Sequence, residues 1–128
     1  MNLTRLDHIQ FKTNDLNAAT AYYRDVLGFK ITWSGIWAGS GKGWVHLRSG
    51  TCYLSIFQVA AGDEPSGQAS YCHMGWVVND LEAFKRHLFQ CGHPVTADDM
   101  NRTQEGNHLY LTDPDGNEIE LTEYRSQP

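Results

Sequence analysis

The sequence predicts an α+β fold built from two tandem βαβββ modules, and three observations carry that prediction. The segment Leu6-Asp7-His8-Ile9-Gln10-Phe11-Lys12-Thr13-Asn14-Asp15-Leu16 returns as Tyr71-Cys72-His73-Met74-Gly75-Trp76-Val77-Val78-Asn79-Asp80-Leu81. In both copies an alternating stretch carrying a histidine runs into Asn-Asp-Leu, and apolar residues then recur at helical spacing. After each helix come alternating segments separated by turn residues, the pattern of antiparallel strands.

Each element follows from local chemistry. Asp15 and Asp80 sit where a carboxylate can accept from the first free N–H groups of a helix. Leu16, Ala19, Tyr23, Val26 and Leu27 mark the first helix, and Leu81, Phe84, Leu88 and Cys91 the second, with Gly28 and Gly92 as their C-terminal residues. Strands are expected over Phe29–Ser34, Trp44–Arg48 and Cys52–Val59, with Ser49-Gly50 as a turn and the Gly-rich stretch 37–43 as a loop. In the second copy Pro94–Ala97 reads as a short strand and 98–106 as a polar connection. A hairpin of Asn107–Thr112 and Glu118–Tyr124 turns at Asp113-Pro114-Asp115-Gly116. The modules are thus expected over 1–60 and 70–125, joined by a linker over 61–69, in one compact domain.

Composition narrows the partners. The chain has 128 residues, 41% of them hydrophobic and 20% charged, with a net charge of −5. This acidic balance has no basic stripe, which argues against nucleic acid and anionic membranes as partners. No leader pattern or membrane-length apolar run is evident. Cys52, Cys72 and Cys91 are odd in number and lack a CxxC spacing, as expected of reduced thiols in a cytoplasmic protein.

Strand alternation points to a metal site. His8 shares a strand face with Gln10 and Lys12, His73 with Gly75 and Val77, and Glu120 with Glu118, Thr122 and Tyr124. The opposite faces carry Ile9, Phe11, Met74, Trp76, Ile119 and Leu121, which belong under the helices. A lone strand histidine is ordinarily just a hydrogen-bonded side chain. Its recurrence at the same offset in both copies marks His8 and His73 as ligands, and Glu120 beyond the D-P-D-G turn completes the set. Two imidazoles and a carboxylate suit Mn, Fe, Ni or Zn and leave coordination positions open. Of the other histidines, His46 and His108 are expected to line the cavity and His87 and His93 to face solvent.

The histidine of the first strand, Tyr22-Tyr23-Arg24-Asp25-Val26-Leu27-Gly28-Phe29, His73 and Asp113-Pro114-Asp115-Gly116-Asn117-Glu118-Ile119-Glu120 resemble the vicinal oxygen chelate superfamily over nearly the whole chain. That group includes glyoxalase I, fosfomycin-resistance thiol transferases, extradiol dioxygenases and bleomycin-binding proteins. The resemblance implies a glyoxalase-like fold in which the modules form a cupped mixed sheet, commonly in a homodimer. It places His8, His73 and Glu120 at the family's three ligand positions. It further implies a divalent-metal-dependent enzyme acting on a small oxygen-rich substrate, of lyase, isomerase or thiol-transferase type, with a thiol as co-substrate in the last case.

Within that frame Tyr110 and Gln10 are the catalytic candidates, and Arg102, Trp44 and His46 the substrate-binding ones. Glyoxalase I carries a further carboxylate at the place of Leu54 or Ser55, and Cys52–Gln58 has no Asp or Glu. Asn101-Arg102-Thr103 with Gly106 and Tyr110 is similar to the fosfomycin transferases. Leu109-Tyr110, Asp113-Pro114, Gly116 and Glu120 are similar to the extradiol dioxygenases, an alternative reading. A third is a protein that sequesters an antibiotic without chemistry, suggested by Trp33, Trp37, Trp44 and Tyr53.

Overall fold

The computed structural model describes residues 1–3, 6–60 and 73–126. The expected linker at 61–69 and the Tyr71-Cys72 start of the second repeat lie outside the described residues. The chain divides into two compact units, Met1–Gln68 and Ala69–Pro128.

The first unit runs β1 (Ile9–Thr13), α1 (Leu16–Ala21), β2 (Lys30–Ile36), β3 (Gly43–Ser49) and β4 (Cys52–Gln58). The second runs β5 (His73–Val77), α2 (Leu81–Gln90), β6 (Met100–Arg102), β7 (Gly106–Thr112) and β8 (Glu118–Tyr124). Each unit forms one four-stranded mixed sheet, ordered β1-β4-β3-β2 and β5-β8-β7-β6. Each sheet has a single parallel pair, β1 with β4 and β5 with β8, and the helix leads from the first strand to the opposite edge strand. The predicted βαβββ repeat is therefore present.

The two helix starts match atom for atom in kind. Asp15 accepts from Ala18 N at 3.0 Å and Asp80 from Ala83 N at 2.9 Å. The next orphan donor is also met from the last strand of each unit: Leu16 N donates to Gln58 Oε1 at 2.8 Å, and Leu81 N to Glu123 Oε2 at 2.6 Å.

The first helix departs from the expected regular run to Leu27. Beyond Ala21 it widens into a π-helical turn over Tyr22–Val26, with Leu27 N bonded to Tyr22 O five residues back. The wider turn buries Tyr22, Tyr23 and Val26 together, and Tyr23 packs its ring against Phe11 and Phe29 at centroid distances of 5.4 and 6.0 Å. Pro94–Ala97 is not a strand. Thr96 and Asp99 form a reciprocal capping box around a 3-10 turn at Ala97–Asp99, and pairing begins only at Met100.

Alternation in burial follows the predicted faces. Phe11, Leu47, Leu54 and Ile56 are buried in the first unit, and Met74, Leu88, Leu109, Ile119 and Leu121 in the second. Each such side chain contributes about 1.5–3 kcal/mol on burial. The opposite faces carry the polar residues. Among the described residues no helix is long and apolar enough to cross a membrane.

Candidate functional site

In the second unit the register of β7 and β8 sets Tyr110 opposite Glu120 and His108 opposite Thr122, and β5 sets Gly75 beside Glu120. Glycine at 75 leaves the space beside the carboxylate open, since nothing lies within 4 Å of where its Cβ would be. His73, at the start of β5, reaches across that gap. Its Nε2 lies 2.8 Å from Glu120 Oε2, and its ring stands edge-on to Tyr110 at 6.3 Å.

The other carboxylate oxygen is held from the strand beside it. His108 Nδ1 is 2.8 Å from Glu120 Oε1, and Thr122 donates to the same oxygen at 3.2 Å. Glu118 Oε1 flanks His73 at 3.9 Å. Neither Glu118 nor Glu120 has a lysine or arginine partner among the described residues. A half-buried pair of carboxylates beside an imidazole makes this patch electronegative.

Tyr110 stays a protonated phenol well beyond neutral pH. Partial burial raises its pKa first, and the charge of Glu120 adds to it against a hydrogen bond with Asn101. It is a proton-bearing group here. Asn101 pairs with His108 across β6 and β7 and so shares this face, whereas Arg102 pairs with Asn107 and is turned to the other side.

In the first unit the equivalent register sets Gln10 beside Ser55, with His46 opposite Ser55 and Trp44 opposite Phe57. The place of the missing carboxylate is therefore Ser55, which accepts from Gln10 Nε2 at 3.1 Å. Trp44 lies 4.9 Å from His46, its indole packed where a Cβ on Gly35 would fall 2.6 Å from it. A register shift between Ile31 and Trp33 brings Trp33 opposite His46 and adds it to the same face. At the far end Lys30 pairs with Arg48, and the two line a cavity with Thr32, Ser49 and Gly50. His8 sits just before β1, exposed, with Nδ1 held by Asp7 Oδ2 at 2.9 Å.

The donor chemistry fits a divalent cation. An imidazole nitrogen and a carboxylate oxygen, His73 Nε2 and Glu120 Oε2, converge at 2.8 Å and are donors of the kind that would hold such an ion. Glu120 is a shielded carboxylate with no Lys or Arg partner among the described residues, and a carboxylate on His8 Nδ1 is the usual support of a ligating imidazole. Of the three predicted ligands the structure brings two together, His73 and Glu120, and His8 belongs to the other unit. Among the described residues no group of three His, Cys, Asp or Glu is gathered in metal-binding geometry. The contact of His108 with Glu120 escaped the sequence reading. Period-two alternation from Tyr110 and the D-P-D-G hairpin register would have found it.

Tandem βαβββ units, each a mixed sheet with one parallel pair, define the glyoxalase-like class of folds. The chain belongs to the Glyoxalase/Bleomycin resistance protein/Dioxygenase superfamily, whose family model matches residues 5–121. It is 25% identical over 123 residues to "Metallothiol transferase FosB" of Staphylococcus epidermidis, covering 94% of this chain and 82% of that protein. It is 28% identical over 124 residues to "Glutathione transferase FosA" of Serratia marcescens, covering 93% and 80%. A glyoxalase family protein from Enterococcus faecalis shares the fold with a TM-score of 0.78 at 19% identity, covering 95% of this chain and 99% of that one.

Proposed function

We propose that the protein is a divalent-metal-dependent enzyme that adds a thiol to a small, oxygen-rich electrophile, with His8, His73 and Glu120 as its metal ligands. The observation that carries this reading is the convergence of His73 Nε2 and Glu120 Oε2 at 2.8 Å beneath a protonated Tyr110. Two thiol transferases among its relatives favour this reaction type over lyase or isomerase chemistry. Ser55 in place of a carboxylate points the same way, because it removes the proton acceptor expected there for C–H abstraction.

A metal bound by these residues supplies Lewis acidity to neighbouring substrate oxygens and leaves positions open for them. Tyr110 holds its proton at Oη and donates it toward the substrate oxygen that gains charge, with Asn101 orienting the phenol. Gln10, held by Ser55, is the substrate-positioning residue of the first unit, and Trp44 and His46 are the substrate-binding residues on its face. Lys30 and Arg48 have no ion-pair partner among the described residues, which suits an anionic tail on the thiol or the electrophile. In this reading the protein works in the cytoplasm as a homodimer.

The test is to reconstitute the protein separately with Mn, Fe, Ni and Zn. Each form is assayed against an epoxide plus thiol, a hemithioacetal and a catechol. Epoxide opening by the thiol supports the reading. Turnover of the catechol alone, only with Fe and oxygen, would replace it with an extradiol-type dioxygenase.

A second reading, sequestration of a flat ligand without chemistry, is favoured by the aromatic face of the first unit. Trp33, 67% exposed, joins Trp44, His46 and Tyr53 there, and Trp37 packs on Phe57 at 5.2 Å. Tight binding of an aromatic antibiotic by metal-free protein, with no turnover in any metal form, would select it.

A further inference from the structure

We propose that His108 is a positioning residue that turns Glu120 into a single-oxygen ligand. The inference rests on the metal-binding reading above and adds to it how the second unit prepares its carboxylate.

His108 is buried, and both of its ring nitrogens are engaged. Nε2 lies 2.9 Å from Thr103 Oγ1, whose oxygen already accepts from Gly106 N at 3.3 Å. That hydroxyl also points at Gly106 O at 3.4 Å, so it does not decide the tautomer; the ionised Glu120 carboxylate beside Nδ1, which can only accept, does. The ring proton of the neutral imidazole is therefore on Nδ1. There it meets Glu120 Oε1 at 2.8 Å, and Thr122 Oγ1 at 3.0 Å. Thr122 spends its own proton on the same carboxylate oxygen at 3.2 Å. Oε1 thus receives two donors and is committed to the protein. Oε2 is left facing His73.

Neither nitrogen of His108 is available as a ligand, so its part is indirect. A carboxylate fixed at one oxygen cannot rotate to chelate through both, and its free oxygen is aimed before any ion arrives. The first unit lacks this device. Trp44 occupies the register position of His108, and Ser55 that of Glu120.

The two amides that mimic one imidazole nitrogen each provide the test. Asn at 108 places its N–H near Nδ1 and keeps the bond to Glu120. Gln at 108 reaches Thr103 instead and leaves Glu120 Oε1 with the Thr122 hydroxyl as its remaining donor. Zn2+ affinity is measured by competition with a chromogenic chelator for wild type, His108→Asn, His108→Gln, His73→Ala and Glu120→Ala, with folding checked by circular dichroism. His108→Asn is expected within about threefold of wild type and His108→Gln weaker by about 10–100-fold. Long-range 1H–15N spectra of metal-free protein are expected to show His108 as the Nδ1–H tautomer. If His108→Gln binds like wild type while Glu120→Ala does not, or if the Nε2–H tautomer is found, the positioning role is overturned and the metal reading survives. If Glu120→Ala itself binds Zn2+ like wild type, the metal reading fails first. Should His108→Gln not fold, Thr103→Val removes only the hydroxyl that meets His108 Nε2. A several-fold loss of affinity supports the role, and none overturns it.

Discussion

Ser55 stands in the first unit where Glu120 stands in the second. Ser55 lies between Gln10 and His46, and Glu120 between Gly75 and Tyr110, in sheets of the same strand order. One βαβββ unit thus presents a carboxylate at this place and its twin presents a neutral hydrogen-bonding pair. Metal binding should follow that asymmetry. Ser55→Ala is expected to keep the Zn2+ affinity of wild type, and His73→Ala and Glu120→Ala to lose it, as read by equilibrium dialysis. Equal effects of Ser55→Ala and Glu120→Ala would deny the division of labour.

Gln10 separates positioning from metal binding. Its Nε2 donates to Ser55, and it carries no charge. Gln10→Ala should lower kcat/KM about tenfold, the scale of one lost neutral hydrogen bond, with metal content unchanged. Steady-state kinetics beside metal analysis checks this, and loss of the metal would show that Gln10 does something else.

Tyr110→Phe removes the phenolic hydroxyl, and with it the proton and the bond to Asn101. The ring still packs edge-on to His73, so the fold and metal content are expected to persist. The rate constant kcat should fall by about 10²-fold or more if that proton is delivered in the reaction. A wild-type kcat for this variant would reduce Tyr110 to a packing residue.

Gly106 controls the approach of β7 to β8. A Cβ there would lie 2.3 Å from the backbone oxygen of Glu123, so Gly106→Ala must push the strands apart next to His108. A loss of about 2 kcal/mol or more is expected in urea unfolding. Unchanged stability would mean that β7 starts elsewhere.

The paired helix caps give a control far from the chemistry. Asp15→Ala and Asp80→Ala should each cost about 1 kcal/mol, because each carboxylate bonds one helix N–H and a side chain from the last strand of its unit holds the next. Similar losses in both variants would confirm the repeat energetically. A loss in only one would break it.

What was legible in the sequence follows from which forces are local. Asp15 and Asp80 cap their helices because a carboxylate bonding three residues ahead needs no tertiary partner. Period two set His73 and Glu120 on one side and buried Met74, Ile119 and Leu121 on the other. The D-P-D-G turn fixed the hairpin register: buried Asp113 accepts from the N–H groups of Asp115 and Asn117, which sets Tyr110 opposite Glu120.

Features that depend on packing between distant segments were not legible. The π-helical turn at Tyr22 answers the burial of two adjacent tyrosines, which helical spacing alone does not describe. The strand after α2 begins at Met100 because Thr96 and Asp99 cap each other first. The turn of Arg102 away from Tyr110 needs the register of β6, which three residues of sequence do not specify. The link from His108 to Glu120 spans two strands; the sequence placed His108 in the cavity without giving it a partner.

The central claim is a three-ligand divalent site built from His8, His73 and Glu120. Metal analysis of protein purified without chelator tests it most directly, comparing wild type with His8→Ala, His73→Ala and Glu120→Ala. The account predicts about one divalent ion per chain in wild type and loss of most of it in each variant. Substoichiometric metal that is the same in wild type, His8→Ala and Glu120→Ala would contradict it.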